Sequence, residues 1–448
     1  MKGLRVAVVG GGLAGLAAAI HCADAAAQVS LFESRPRLGG ATFSIVRDGR
    51  TVDNGQHIAL RCCTEYRGFL RRLGVEGSLE VQPRLSIPVL SPRTGQSALT
   101  RTALPAPLHL AGSLLRYRHL SPADRLRSIR AVRALQSLPL GDASLDESTF
   151  ADWLVRHGQS QRSIDALWNL IVLPTINLPA SEASLLLATT VFRIGLLDES
   201  DACDLAVPTV PLQRLHGDPA GRELRSLGAE VRVRTRVRRI AEGPDGLEVE
   251  LPDGPRVFDR VIVAVPHQVA ASLLPAGIVD EQTEEGLGAS PIVNVHLQFD
   301  RHVLDHRVVA AIDSPVQWVF DRTAASGVEQ GQLLSISLSH ATRELELPQE
   351  ALVEQHLHAL ADLLPKVRSA TLLHADVTRE PRATFAAVPG TQRLRPGART
   401  DVPGLYLAGA WTDTGWPATM EGAVRSGRTA AAAALAEPSH RLRRSEAA

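Results

Sequence analysis

A glycine-rich turn between an apolar run and an alanine-rich stretch constrains this chain more than any other feature. Residues 6–9 are continuously apolar and read as a buried parallel strand. Residues 13–25, rich in Ala and Leu, read as a helix. Between them Gly10, Gly12 and Gly15 form G-x-G-x-x-G. The first glycine permits the tight turn, the second lets a pyrophosphate approach the backbone, and the third lets helix and strand close together. Leu13 and Ala14 open the helix, whose free N–H groups and partial positive charge suit a phosphate. A second strand at 29–32 runs into Glu33, 23 residues after Gly10, where a carboxylate can accept from ribose hydroxyls. Strand, helix, strand and terminal acid together predict a dinucleotide cradle; an accidental glycine-rich turn would leave Glu33 unexplained.

The rest of the chain narrows the class. Lys+Arg and Asp+Glu both number 48, so there is no global field to attract nucleic acid. Hydrophobic residues at 44% and charged residues at 21% exclude wholesale disorder. Cys22, Cys62, Cys63 and Cys203 form no CxxC pair and no zinc spacing, which predicts neither disulfides nor a metal and suits a reducing, cytoplasmic compartment. No signal-peptide pattern is present, and no apolar run approaches the ~18 residues that span a bilayer.

Strand-like segments at 230–233, 237–241, 247–251, 257–265 and 405–408, with a small-residue helix at 419–435, return to the dinucleotide theme. The expected fold is α/β: a discontinuous Rossmann-like domain (1–82, 206–270 and 398–437) with an inserted α+β substrate domain (83–205 and 271–397). Residues 438–448 read as a flexible tail, with Arg441, Arg443 and Arg444.

Two motifs are more specific. One is Asp53-Asn54-Gly55-Gln56-His57. The other runs from Thr412 to Gly427 as T-x-T-G-x-P-A-T-x-E-G-A-V-x-S-G. With them the chain resembles the squalene-associated FAD-dependent desaturases, the hydroxysqualene dehydroxylases of bacterial squalene and hopanoid synthesis, within the amine oxidase and phytoene desaturase superfamily. Residues 107–117 and 168–184 are also similar to that family, and Gly39-Gly40 matches the glycine pair that FAD proteins of the superfamily carry after the acid. There are two departures: Ala410 stands where the family has Asp, and Ala41 where it tends to have Arg.

The resemblance implies non-covalent FAD, since the C-terminal flavin segment has no cysteine. It implies cofactor contacts from Gly10, Gly12, Leu13, Ala14, Gly15, Glu33, Gly39, Gly40, Val237, Gly409, Ala418, Thr419 and Met420. The implied reaction is reduction of hydroxysqualene to squalene. It needs a proton donor for the hydroxide, a preorganised setting for developing positive charge, and exclusion of water. His57 and Asp53 are the candidate acids; the alternative is a capped turn with His57 bonded to backbone. Trp411, Trp416 and Trp168 are the candidate pocket residues; the alternative is packing. Glu421 is either a cofactor neighbour or a first-turn acid answering the helix dipole, and Asp413 is a candidate helix cap. The implied partners are an isoprenoid small molecule and an electron donor, with peripheral contact at the inner face of a membrane. Residues 107–120 have the pattern of an interfacial amphipathic helix, or of one covering the protein's own core. Two other functions remain open: an oxidising carotenoid-type desaturase or amine oxidase, and a non-catalytic isoprenoid-binding protein on an FAD scaffold.

Overall fold

In the computed structural model, which describes residues 3–437, the first apolar run forms the strand Arg5–Val9 at the centre of a five-stranded parallel sheet. The order in space is Glu230–Arg232, Gln28–Phe32, Arg5–Val9, Arg260–Val263, Leu405–Leu407. The winding reverses beside Arg5–Val9, so a crevice opens at the carboxyl end of that strand, above Gly10. Both sheet faces are covered, which is why the strands are continuously apolar. Val6 and Val8 pack into a helix layer. Ala7 and Val9 face the antiparallel sheet of Arg239–Gly243, Gly246–Leu251 and Gly254–Phe258.

The helix layer is tied together across almost the whole chain. The helix Met420–Ala436 lies against Leu13–Asp24 so closely that a Cβ on Gly427 would strike the Ala14 carbonyl. Glu421, 1% exposed, accepts from the backbone N–H groups of Glu65 (3.2 Å) and Tyr66 (2.8 Å). It thereby caps the helix Thr64–Arg72, whose own N-cap residue, Cys63, makes no side-chain capping bond.

The run 257–265 is not one strand. It pairs in one sheet as Gly254–Phe258 and in another as Arg260–Val263. Asp259 makes the corner, its carboxylate accepting from the Arg5 backbone N–H (2.8 Å) and guanidinium (3.1 Å). The segment 107–120 is not one amphipathic helix either. A 3₁₀ turn, Leu108–Leu110, leads into the short helix Ala111–Arg116. The helix stops where Tyr117 turns inward to donate its hydroxyl to the Ala166 carbonyl (2.7 Å).

Between its returns to the parallel sheet the chain builds a second layer. Seven strands lie in the order Leu372–Thr384, Ser290–Phe299, Gln332–Ser339, Trp318–Asp321, Val308–Ala311, Ser86–Ser91, Gly95–Thr100. This sheet has two unlike faces. Val293, Val295 and Leu297 with Leu334, Ile336 and Leu338 pack against the helix Gln349–Leu363. The alternate residues, Asn294, His296 and Gln298 with Ser335, Thr378 and Glu380, form a polar face toward the first layer. Helices between Pro122 and Leu197 close one side, interrupted by wide π-type turns at Ile164–Trp168 and Arg193–Leu197. Among the described residues no helix is long and apolar enough to cross a membrane. The tail 438–448 and its arginines lie outside the described residues.

Two expectations follow. Gly427→Ala forces a methyl group against the Ala14 backbone, so the urea midpoint falls by the equivalent of about 1–3 kcal/mol. The second concerns pH. Burial pushes His57 down to about 4 and His216 and His296 down to about 3, from an ordinary value of 6.5. The folded state therefore refuses protons that the unfolded chain accepts below 6.5. Stability is full above that pH and falls by about 1.4 kcal/mol per histidine for each unit below it, until the folded values near 3–4 are reached. Thermal melts between pH 7 and 5 should show this slope, and His296→Asn should flatten it.

Candidate active site

The helix Leu13–Asp24 starts at Gly12 with no side-chain cap and no acid in its first turn. Leu13 and Ala14 are each 5% exposed. A buried helix N-terminus without a side-chain cap suits an anion, and a pyrophosphate fits it. Gly10 has φ 107°, and a Cβ there would strike the Ala264 carbonyl oxygen. Glu33, 7% exposed, accepts from the N–H groups of Gly11 and Arg35, both at 2.7 Å. The acid thus shapes the loop as well as ending the strand. Gly39 and Gly40 lie on that same loop: Gly39 N–H donates to the Gly11 carbonyl (2.8 Å), and a Cβ on Gly40 would come within 2.6 Å of the Gly12 Cα. The second glycine pair braces the first. Val237 is buried in the apolar cluster that contains Ala7 and Phe32. Although position 41 is alanine, the Arg37 guanidinium stands at the loop, 3.1 Å from the Gly40 carbonyl and over the Phe43 ring.

The C-terminal segment passes from Leu405–Leu407 through Gly409, whose N–H donates to Ser426 Oγ (2.8 Å). The following helix is capped by Thr419, which accepts from Gly422 N–H (3.1 Å); Ala418 and Met420 flank this cap, half-buried. Asp413 is not the cap; it is exposed and accepts from Gln392 (2.8 Å). The loop is shaped by a residue that no motif singles out. Arg395, 5% exposed, donates to the carbonyls of Trp411 (3.3 Å), Thr412 (2.6 Å) and Trp416 (2.8 Å). Burial brings its pKa down to about 10, still well above neutrality. Trp411 is buried against Gly409 and donates Nε1–H to the Val265 carbonyl (2.9 Å). Trp416 is half-buried with the Arg425 guanidinium 5.0 Å above it. Trp168 lies elsewhere, 1% exposed among Phe150, Phe192 and Gln159 in the helical core.

The D-N-G-Q-H loop joins the two layers. Asp53 is fully engaged: it pairs with Arg322 (2.7 Å) and accepts from Ser44 Oγ (2.6 Å) and Leu212 N–H (3.0 Å). Asn54 donates to the Ala41 carbonyl (2.8 Å) and to Glu380 (3.0 Å). Gln56 donates to Ser335 (3.0 Å), on the polar sheet face. His57 lines a small cavity with Phe320, Arg322 and Leu212. Its ring makes no hydrogen bond among the described residues, and with a pKa near 4 it is neutral at pH 7. Asp53 is tied up by these bonds, and the neutral His57 is a poor proton donor. Glu380 is better suited, because burial raises its carboxyl above the ordinary glutamate value. Trp318 and Phe320 pair with Ser337 and Ser335 across the sheet, so both rings stand on the polar face, stacked 6.2 Å apart. Their two-residue alternation was a readable signal; nothing in the sequence pointed to Glu380, Arg322 or Arg395.

Known proteins are similar to this chain over nearly its whole length. The family of flavin containing amine oxidoreductases matches residues 13–435. A hydroxysqualene dehydroxylase of Sinorhizobium fredii is 30% identical, covering 97% of this chain and 99% of its own. A probable zeta-carotene desaturase of Synechococcus elongatus is 27% identical over 96% of this chain and 98% of its own. Cyclohexylamine oxidase from Brevibacterium oxydans superimposes with a TM-score of 0.71 at 18% identity, over 96% of this chain and 98% of that one. The glycine cradle, the acid at its strand end and the match over nearly the whole chain lead to one conclusion: the chain belongs to the flavin-containing amine oxidoreductase family and is an FAD-dependent oxidoreductase.

Proposed function

We propose that this enzyme reduces hydroxysqualene to squalene. The reading draws on the full-length likeness to hydroxysqualene dehydroxylases. The observation that carries it in the structure is a half-buried carboxyl of raised pKa on the sheet face that also bears two stacked aromatic rings. Gly10, Gly12, Leu13, Ala14 and Gly15 hold the pyrophosphate of FAD, Glu33 the ribose, and Gly409 with Ala418, Thr419 and Met420 the flavin end. In the same proposal residues 1–82, 206–270 and 398–437 form the cofactor domain, and 83–205 with 271–397 the substrate domain. Reduced FAD, when bound, supplies hydride.

The chain supplies the rest. Glu380, held by Asn54, protonates the departing hydroxyl. Trp318 and Phe320, three strands along the same face, line the path of the isoprenoid chain. His57, neutral, orients the hydroxyl by a hydrogen bond instead of giving up a proton. Arg395 fixes the flavin loop through its carbonyls. An external donor then restores the reduced cofactor.

The decisive test is anaerobic. With bound flavin photoreduced, addition of hydroxysqualene should return the oxidised spectrum and yield squalene. A flavin that stays reduced would sink the reading and favour the desaturating one, to which the carotene desaturase relative points. Glu380→Gln should keep its flavin spectrum and lose about a hundredfold or more in kcat. In the parent enzyme kcat/KM should fall as pH rises through the elevated Glu380 pKa, because only the protonated acid donates. His57→Ala should cost less, roughly tenfold. Arg395→Ala leaves buried carbonyls without donors. It should destabilise the protein by about 3 kcal/mol and release FAD on gel filtration, and Arg395→Lys should rescue it only in part.

A further inference from the structure

In a protein of zero net formal charge, residues 101–136 carry seven arginines and one acid, Asp124. Arg101 is taken up by buried Asp204, and Arg127 pairs with Asp124. Arg125 donates to the carbonyls of Leu115 and Leu120. Arg116, Arg118, Arg130 and Arg133 are exposed and pair with no carboxylate among the described residues. The same segment holds four of the nine exposed large apolar side chains of the described residues: Leu104 at 52%, Leu108 at 48%, Leu115 at 55% and Leu126 at 52%. Such clustering makes a patch, whereas single exposed leucines mean nothing.

The geometry makes the patch continuous. Leu108 and Leu115 are seven residues apart on the path Leu108–Leu110, Ala111–Arg116, two turns that return to one face. The bond from Arg125 to the Leu115 carbonyl (2.9 Å) lays the helix Pro122–Gln136 alongside. On that helix Leu126, Arg130 and Arg133 recur on the outward stripe, opposite the buried Asp124, Ser128, Ala131 and Leu135. Beside them is a groove of about 450 Å³, flanked by the edge strand Gly95–Thr100 and lined by Ser97, Thr100, Ser113, Arg116 and Arg118. Hydroxyls and guanidinium groups together suit a phosphate.

We propose that this surface docks on an anionic lipid bilayer, with the leucines entering the acyl boundary, the arginines on headgroup phosphates, and one phosphate seated in the groove. Exposed apolar side chains interleaved with unpaired cations match an interface that is apolar below and negative at its surface. A polyanion such as nucleic acid would use the arginines but not the leucines. Docking does not depend on which isoprenoid is reduced, so it can fail or hold independently of the catalytic reading.

The test is flotation of the FAD-loaded protein with phosphatidylcholine vesicles, with and without phosphatidylglycerol. Binding should require phosphatidylglycerol and weaken with added salt. The triple variant Arg116→Gln, Arg118→Gln, Arg130→Gln should lose roughly a hundredfold in partition. Leu108→Ser with Leu115→Ser should lose at least about tenfold. Leu373→Ser, at the opposite edge of the sheet, should bind as the parent does. Flavin absorbance and circular dichroism establish that each variant is folded. No binding, equal binding to neutral vesicles, or parent-like binding by either patch variant would overturn the proposal. So would a sedimentation dimer that Leu115→Ser converts to monomer, since the face would then meet a second copy.

Discussion

The buried N-terminus of the helix Leu13–Asp24 has no side-chain cap among the described residues, and the surrounding structure is arranged around that opening. Glu33 turns the preceding loop by accepting from Gly11, Gly39 and Gly40 pack on its back, and Gly427 brings the C-terminal helix onto its first turn. These contacts hold the loop open and leave its helix start without a side-chain cap among the described residues. A buried donor left without a partner costs about 1–3 kcal/mol. The dinucleotide is therefore part of what completes the fold, and its binding raises stability by mass action.

The D-N-G-Q-H loop connects this cradle to the second layer, and the Asp53–Arg322 pair sets how the two meet. Buried ion pairs add little net stability over apolar packing, but their directional bonds are demanding. Arg322 also donates to the Pro208 carbonyl (2.7 Å), so one guanidinium holds three separate segments in register. The polar sheet face then lies beside the loop. That placement leaves His57 too buried to hold a proton and leaves Glu380 reluctant to lose one. The same low-dielectric setting penalises both charges, and so it assigns opposite roles to a base and an acid.

Charge on backbone is the recurring device. Arg395 gathers carbonyls of the flavin loop, and Glu421 gathers N–H groups at another helix start. An ionised group can satisfy several backbone partners at once with stronger bonds than a neutral one. With Ala410 and Ala41 in place of charged residues, Arg395 reaches the first segment from a preceding loop, and Arg37 stands on the second segment's own loop.

The glycine loop, Glu33, the strands beside them and the C-terminal helix were legible from the sequence, because each depends on local steric rules and on apolar periodicity that the chain carries within a few residues. The D-N-G-Q-H loop could be located but not assigned roles. Asp53 meets its cation across 269 residues of chain and Asn54 meets Glu380 across 326. The division of 257–265 between two sheets, the inward turn at Tyr117, the burial of Trp168 and the gathering of carbonyls by Arg395 were decided the same way. Each depends on a partner outside its own element, and on burial that only the packed layers create. Local sequence determines which elements form, because backbone geometry and hydrophobic pattern act at short range. Tertiary structure decides which ionisable groups keep their charge, because desolvation belongs to the surroundings and not to the residue.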